Sequence, residues 1–255
     1  MMKPGGSYAE YGVAWAHTTF PLPDSTSFEE GAAIPLAALT SAVGLYSRLR
    51  LPEPWLPATE PIPLVIWGAS SAVGSYAVQL AQRSNIHPLI CIAGKSAAHV
   101  EKFISPDKGD VVVDYRKGDA EVAQAIRDAL KGQKLRHAFD AVSEKGSYQV
   151  ITQVLEKDGQ ITLVLPGKDY SEIPESISKT TTTVGSVHAD LKDFGYVHSR
   201  YISRGLQEGW FKPQPQEIVP GGLNGIETGL TNLKAGKANA VKYIFRIADT
   251  EGVSS

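Results

Sequence analysis

Val65-Ile66-Trp67-Gly68-Ala69-Ser70-Ser71-Ala72-Val73-Gly74 is an apolar run that breaks into a turn of small residues and then opens an amphipathic stretch. The run from Leu64 to Trp67 lies between Pro63 and Gly68 and suits a buried parallel strand. Behind the turn, Val73, Ala77, Leu80 and Ala81 recur at helical spacing. Strand, tight turn and helix is the arrangement in which free N–H groups and a partial positive charge meet a phosphate. Small side chains let a pyrophosphate approach the backbone, and Ser70 and Ser71 add hydroxyl donors. The spacing is Gly-x-x-Ser-x-x-Gly rather than Gly-x-Gly-x-x-Gly, so the turn alone leaves two readings open, a dinucleotide cradle or plain packing.

The residues downstream favour the cradle. His87 to Ala93 reads as a second strand and Ala97 to Ile104 as a helix. Val111 to Val113 is a third strand, and Val122, Ala125, Ile126, Ala129 and Leu130 mark one face of the next helix, ended by Gly132. Ala138 to Val142 is a fourth strand, Tyr148 to Leu155 a helix and Gln160 to Leu165 a fifth strand. This alternation predicts an α/β fold, a doubly wound parallel sheet of Rossmann type with helices on both faces. The threonine run from Thr180 to Thr183 predicts a strand or loop and receives no role. Phe194 to Gly209 and Asn224 to Ala235 read as helices, and Val241 to Ile247 as a final strand.

Upstream, prolines at 52, 54, 57, 61 and 63 predict an extended surface connection over 51–63. Before it, Tyr8 to Val13 is strand-like. Ser27 and Glu30 form a possible capping box for a helix reaching about Leu49, with Pro35 kinking or interrupting it. The expected domains are therefore 1–50, a connection over 51–63, a nucleotide-binding domain over 64–190, and a return segment over 191–255.

With 255 residues, 42% hydrophobic, 20% charged and a formal net charge of -2, the chain reads as an ordinary soluble globular protein. Nothing in that balance suggests nucleic acid or a membrane surface. No apolar run approaches the roughly 20 residues that span a bilayer. The opening Met1 to Gly6 lacks the apolar stretch of a signal peptide. The lone cysteine, Cys91, permits no intrachain disulfide, and a reducing, cytoplasmic setting is expected. The six histidines are scattered and no second cysteine accompanies Cys91, so no metal site is expected. The chain has no Gly-x-Ser-x-Gly elbow of a hydrolase.

The end of the second strand separates NAD from NADP. A reader of the ribose 2′-hydroxyl would be acidic there, yet the chain has Ala93-Gly94-Lys95-Ser96-Ala97 and no acid before Glu101. A carboxylate about 4 Å from a 2′-phosphate would oppose it by roughly 1–4 kcal/mol. Lys95 and Ser96 would instead add charge-assisted hydrogen bonds of about 1.5–3 kcal/mol each. Alone, Lys95 reads better as a solvated loop lysine; within this fold it favours NADPH. Asp114-Tyr115-Arg116 is either a polar strand end or an edge of the adenosine site.

Gly6-Ser7-Tyr8-Ala9-Glu10-Tyr11 resembles the G-x-F-A-E-Y strand of the zinc-independent medium-chain dehydrogenase/reductases of quinone oxidoreductase type. Phe28-Glu29-Glu30-Gly31-Ala32-Ala33-Ile34-Pro35-Leu36-Ala37-Ala38-Leu39-Thr40-Ser41-Ala42 resembles that family's F-E-E-A-A-x-x-P-x-A-x-L-T-A helix. Val113 to Arg116 and Phe139 to Val142 match as well. The proline-rich connection, the serine-containing turn and the Gly221-Gly222-Leu223 to Val241 ending are similar to fungal trans-acting enoyl reductases and toxin-cluster oxidoreductases of secondary metabolism. The resemblance implies that Gly68, Ser70, Ser71, Ala72, Val73 and Gly74 hold the pyrophosphate. By the same token Gly94, Lys95, Ser96 and Ala97 line the 2′-phosphate, with Tyr115 beside them. Leu165 and Pro166 would face the nicotinamide, and Ala240 and Val241 would close over the cofactor. Pro35, Leu36, Leu39, Thr40 and Ser186, Val187, His188 through Leu191 would border the substrate.

Such enzymes begin with a GroES-like barrel, of which this chain retains a remnant built from its two ends. Tyr8–Val13 and Val241–Ile247 would pair within that barrel, and unpaired strand edges and an opened apolar face are expected here. The reading that follows is an NADPH-dependent reductase of an activated C=C bond in a small-molecule or carrier-bound substrate, with a synthase as a possible protein partner. Thr40 is the catalytic candidate, or else a helix threonine bonding its own turn. A binding or accessory module, and a non-redox cyclase or isomerase, are the alternatives.

Overall fold

Ser27 begins the first helix as its spacing with Glu30 predicts. In the computed structural model, which describes residues 6–253, the Ser27 hydroxyl accepts from the Glu30 amide at 3.2 Å. The Glu30 carboxylate accepts from the Ser27 amide at 2.8 Å, which completes the capping box. Of the stretch read for a leader, Met1 to Gly6, residues 1–5 lie outside the described residues. The predicted run to Leu49 is not one helix. It is α1 (Phe28–Ala32), a break at Ala33 and Ile34, α2 (Pro35–Ala42) and a π-helical turn, Val43–Arg48. Pro35 has no N–H to give a preceding turn but fits the first position of a new helix, which fixes the break.

The strand predicted over Tyr8 to Val13 is not formed; residues 7–11 are bends. A strand needs a partner for its backbone groups, and no ladder to this segment occurs among the described residues. Tyr8, Tyr11 and Val13 are 63%, 91% and 78% exposed.

The strand–helix alternation builds the predicted sheet. In chain order come β1 (Leu64–Trp67), α3 (Ala72–Arg83), β2 (Leu89–Ala93), α4 (Ala97–Val100), β3 (Val111–Asp114) and α5 (Asp119–Leu130). They are followed by β4 (His137–Asp140), α6 (Ser147–Thr152), β5 (Gln160–Leu163) and β6 (Ser178–Thr181). All pair in parallel, in the order β3-β2-β1-β4-β5-β6. The threonine run thus supplies the edge strand. Helix α4 stops at Val100 instead of reaching Ile104: residues 101–103 form a turn, and Ser105, which precedes Pro106, lies outside the helical region at φ -117, ψ 89. Strands β1 and β2 are buried at every residue, as strands covered on both faces must be. The order reverses between β1 and β4, and the register places Trp67 beside both Ile92 and Asp140. Ligands of such sheets bind outside the carboxyl ends of the strands at this switch point.

The proline-rich stretch contains no helix or strand but is tied down. The amides of Ala58 and Ile62 donate to the carbonyls of Ser84 and His87 at 2.9 and 2.8 Å, and Asn85 Nδ2 donates to the Ala58 carbonyl at 2.8 Å.

By its contacts the chain forms two compact units, residues 40–183 and residues 1–39 with 184–255. The second unit, built from both chain ends, carries α7 (Lys192–Glu208), β7 (Gln216–Ile218), α8 (Ile226–Lys234) and β8 (Lys242–Ile244). The predicted last strand pairs in parallel with β7. Within this unit His17 Nε2 lies 2.8 Å from the Val187 carbonyl, and the Ser203 hydroxyl donates to the Pro21 carbonyl at 2.7 Å. Among the described residues no helix is long and apolar enough to cross a membrane.

Candidate functional site

The turn after β1 is built by two glycines packed on each other. Gly68 has φ +73, the left-handed region open to glycine. A Cβ on Gly74 would lie 2.2 Å from the Gly68 carbonyl oxygen and 2.8 Å from Ala69 Cα. The first turn of α3 can therefore settle onto the strand end only with glycine at 74. Ser71 is the N-cap, its hydroxyl accepting from the Gly74 amide at 3.0 Å. The Ala69 amide donates to the Ile92 carbonyl at 3.0 Å and ties the turn to β2. From the other side, the Ser41 hydroxyl donates to the Val73 carbonyl at 2.6 Å. The Ala72 and Val73 amides belong to the helical turn that has no intrahelical acceptor. Ser70, Ser71, Ala72 and Val73 are half-buried, so the rim of the turn is open to a ligand. The geometry is that of an anion cradle at a helix start.

At the end of β2, Gly94 is buried, Lys95 exposed, and Ser96 and Ala97 half-buried. Ser96 caps α4 by position without a capping hydrogen bond from its hydroxyl. A Cβ on Gly94 would stand 2.6 Å from Tyr115 Cε1, so the tyrosine ring occupies the space that glycine leaves. Because Ala93 is in register with Asp114, the residues that follow the two strands share one edge. The Asp114 carboxylate accepts from Arg116 Nε at 2.8 Å and from its amide at 2.9 Å. The guanidinium and these bonds hold its pKa at about 2. Asp114 is thereby matched by a cation.

The ends of β4 and β5 carry a network that the residue patterns did not reveal. Asp140 is fully buried. Its carboxylate accepts from the amides of Val142 and Ser143 at 3.0 and 2.8 Å and from the Ser147 hydroxyl at 2.5 Å. Burial raises its pKa, against the pull of these bonds. Ser143, at φ +61, donates from its hydroxyl to the Asp140 carbonyl at 2.9 Å and accepts from the Val164 amide at 2.8 Å. Lys168 Nζ donates to the Ser143 carbonyl at 2.8 Å and lies 5.1 Å from the Tyr148 ring centroid. The Tyr170 hydroxyl donates to the Leu165 carbonyl at 2.9 Å. Leu165 and Pro166 are exposed beyond this anchored backbone. The visible signal was Asp140, a carboxylate closing an apolar strand; the links from Ser143 to Val164 and Lys168 span 21 and 25 positions, too far to be read locally.

A cleft of about 300 Å³ at the carboxyl ends of β5 and β6 is lined by Leu163, Lys168, Tyr170 and Thr180 among others. A larger one, about 400 Å³, opens at the opposite amino edge between Pro61–Pro63 and Gln133–His137. Size does not select the site here, because the Gly68–Gly74 turn and the buried network lie at the carboxyl edge.

Thr40 is buried in α2, next to the Ser41 that bonds Val73. Pro35, Leu36, Leu39, Ser186, Val187, His188, Ala240 and Val241 belong to the other unit. There Ser186 and Val187 are buried, and His188 stacks on Trp15 at 5.9 Å and meets the edge of His17 at 5.5 Å. Burial, then His17, lowers its pKa. Ala240 turns at φ +51 before the half-buried Val241. Among the described residues no three His, Cys, Asp or Glu side chains cluster as metal ligands.

No family model matches the chain. It is 62% identical over 226 residues to trans-enoyl reductase fsr4 of Gibberella fujikuroi, covering 88% of this chain and 67% of that protein. Its structure is similar to that of CurK enoyl reductase, with a TM-score of 0.66 at 18% identity, over 87% of this chain and 64% of that one. It is likewise similar to the quinone oxidoreductase of Pseudomonas syringae pv. Tomato DC3000, with a TM-score of 0.66 at 20% identity, over 88% and 67%. The chain thus spans about two thirds of the length of these proteins. The resemblance carried by Gly6–Tyr11 and Phe28–Ala42 is borne out.

Proposed function

Because the chain belongs to the trans-enoyl reductase family, we propose that it is a zinc-independent, NADPH-dependent reductase of an activated C=C bond. The substrate class is an enoyl thioester, enone or quinone, small or carrier-bound, in secondary-metabolite biosynthesis, with a synthase as the partner that presents a carrier-bound form. The observation that carries this reading is the Gly68–Gly74 turn, an anion cradle opening at the switch point of a doubly wound sheet.

In this reading the amides of Ala72 and Val73 and the hydroxyls of Ser70 and Ser71 bind the pyrophosphate, with the helix start supplying partial positive charge. Lys95 and Ser96 hold the 2′-phosphate, and Tyr115, seated on Gly94, walls the adenosine. Leu165 and Pro166 face the nicotinamide side, and the resemblance assigns Ala240 and Val241 to cofactor binding. When bound, the reduced nicotinamide supplies the hydride that the electron-poor carbon accepts. Pro35, Leu36 and Leu39 with Ser186, Val187 and His188 border the substrate. Thr40 is the side chain we assign to hydrogen-bond the oxygen on which negative charge develops.

The test is to mix the purified chain with NADPH and an enoyl thioester and follow loss of reduced-nicotinamide absorbance, with NADH in parallel. Turnover with NADPH supports the reading. Binding without turnover would make the chain an accessory module, and product without cofactor a cyclase or isomerase.

A further inference from the structure

Two loops at the carboxyl edge of the sheet are joined by hydrogen bonds that serve no strand ladder. The β5 strand end would be free to change its path after Leu163, yet its next two peptides are gripped from both sides. On one side the Val164 amide donates to the Ser143 hydroxyl at 2.8 Å. On the other the Leu165 carbonyl accepts from the Tyr170 hydroxyl at 2.9 Å. Ser143 is itself fixed. It is fully buried, held at φ +61, with its amide on the Asp140 carboxylate and its carbonyl on Lys168 Nζ. Tyr170 is fixed too, with its ring edge-on to Tyr148 at 5.3 Å and Lys168 Nζ 5.9 Å from its centroid. Each residue of the network therefore has two attachments, and what they jointly determine is the direction in which Leu165 and Pro166 leave the strand.

We propose that Ser143 and Tyr170 are positioning residues for the nicotinamide end of the cofactor: they clamp the Val164–Leu165 backbone so that Leu165 and Pro166 present a preformed wall to the ring. The proposal rests on the reading above, in which these two residues face the nicotinamide. A preformed wall spares the bound cofactor the entropy of ordering a loop. The adenosine end is assigned to the Gly68–Gly74 turn and the Lys95 loop, which follow β1 and β2, whereas the clamp joins the loops that follow β4 and β5. Loosening the clamp should thus weaken one end of the dinucleotide and spare the other.

The experiment uses the full chain and three probes, NADPH, NADH and adenosine 2′,5′-bisphosphate, with affinities from isothermal titration. Amide exchange is measured over 163–167 without ligand. Tyr170→Phe keeps the ring and removes the hydroxyl; Ser143→Ala removes the other grip. Loss of one hydrogen bond corresponds to about a tenfold effect. The expected result is about tenfold faster exchange at 163–167 and about tenfold weaker NADPH binding, with binding of the bisphosphate unchanged within twofold. Equal weakening of NADPH and the bisphosphate, or unchanged exchange in both variants, overturns the clamp. If wild-type protein binds none of the three probes, the cofactor reading itself has failed and the clamp has no nicotinamide to position. If Ser143→Ala does not fold, Tyr170→Phe and Lys168→Met, which frees the Ser143 carbonyl, decide the matter by the same readouts.

Discussion

Gly74→Ala is the sharpest perturbation of the site, because its clash is with backbone and not with a side chain that could swing away. The new methyl would sit 2.2 Å from the Gly68 oxygen and 2.8 Å from Ala69 Cα, where an ordinary contact needs about 3.5 Å. The first turn of α3 and the Gly68–Ala69 peptide must therefore part by about 1 Å, at a cost of roughly 1–3 kcal/mol of overpacking. That displacement also carries the Ala72 and Val73 amides away from a pyrophosphate. Each charge-assisted bond lost is worth about 1.5–3 kcal/mol, so NADPH affinity should fall roughly ten- to a hundredfold. NADPH and NADH should weaken alike, since both carry the pyrophosphate. Gly185→Ala, beside whose Cβ position nothing lies within 4 Å, is the control. Titration calorimetry with thermal unfolding separates the two effects. A Gly74→Ala protein that binds NADPH within twofold of wild type would refute the cradle.

Three further outcomes follow from single contacts. Lys95→Ala should weaken NADPH about ten- to a hundredfold while leaving NADH within twofold, because Lys95 is assigned to the 2′-phosphate alone; equal losses in paired titrations would remove that assignment. Gly44→Ala should cost roughly 1–3 kcal/mol in urea unfolding, since its methyl would fall 1.9 Å from Cε2 of the fully buried Phe139. Phe139→Leu in the same chain should recover part of that cost in a double-mutant cycle. Burial, then Arg136, lowers the His137 pKa from 6.5. The unfolded chain takes up this proton first, so stability should fall as pH drops below about 6.5, and His137→Gln should show a shallower fall in melting temperature.

The doubly wound core was legible because its signals are local. Apolar runs such as Leu64–Trp67, ended by Gly68 and followed by helical periodicity, name strand, turn and helix within ten residues or so. What was misread depended on partners elsewhere. Tyr8–Val13 has the alternation of a strand, but pairing decides whether such a segment becomes one, and no ladder forms. Gln216–Ile218 is too short and polar to announce β7, which exists because Lys242–Ile244 lies beside it. In the site, the Gly68–Gly74 turn and the Lys95 loop stood in the sequence as contiguous patterns. The Asp140, Ser143, Lys168 and Tyr170 network did not, because its bonds join residues up to 25 positions apart. Gly94 was placed, by resemblance, beside the 2′-phosphate; its role as a seat for the Tyr115 ring is a tertiary fact.

Two buried carboxylates test whether the carboxyl edge differs in kind from the amino edge. At the amino edge Asp110 accepts from His87 Nδ1 and the Leu89 amide on one oxygen, and from Gln82 Nε2 and the Ser105 amide on the other. In Asp110→Asn one oxygen becomes an NH₂ group, and whichever way it faces it meets a backbone amide. At least one buried N–H is orphaned, costing about 1–3 kcal/mol. Asp140 receives its two amides on the same oxygen and only the Ser147 hydroxyl on the other. An asparagine there keeps both amides, and Ser147 can turn its hydroxyl to accept from the NH₂. Burial raises the Asp140 pKa, so its contribution to stability is full below the unfolded value of 3.8 and is lost as pH rises through the folded value. Asp140→Asn should abolish that decline. Urea unfolding at about pH 4 and about pH 8 should show Asp110→Asn destabilised at both and Asp140→Asn gaining on wild type at the higher. If Asp140→Asn loses more than about 1 kcal/mol there, its charge is needed by the fold, and Asp140 is no different from Asp110.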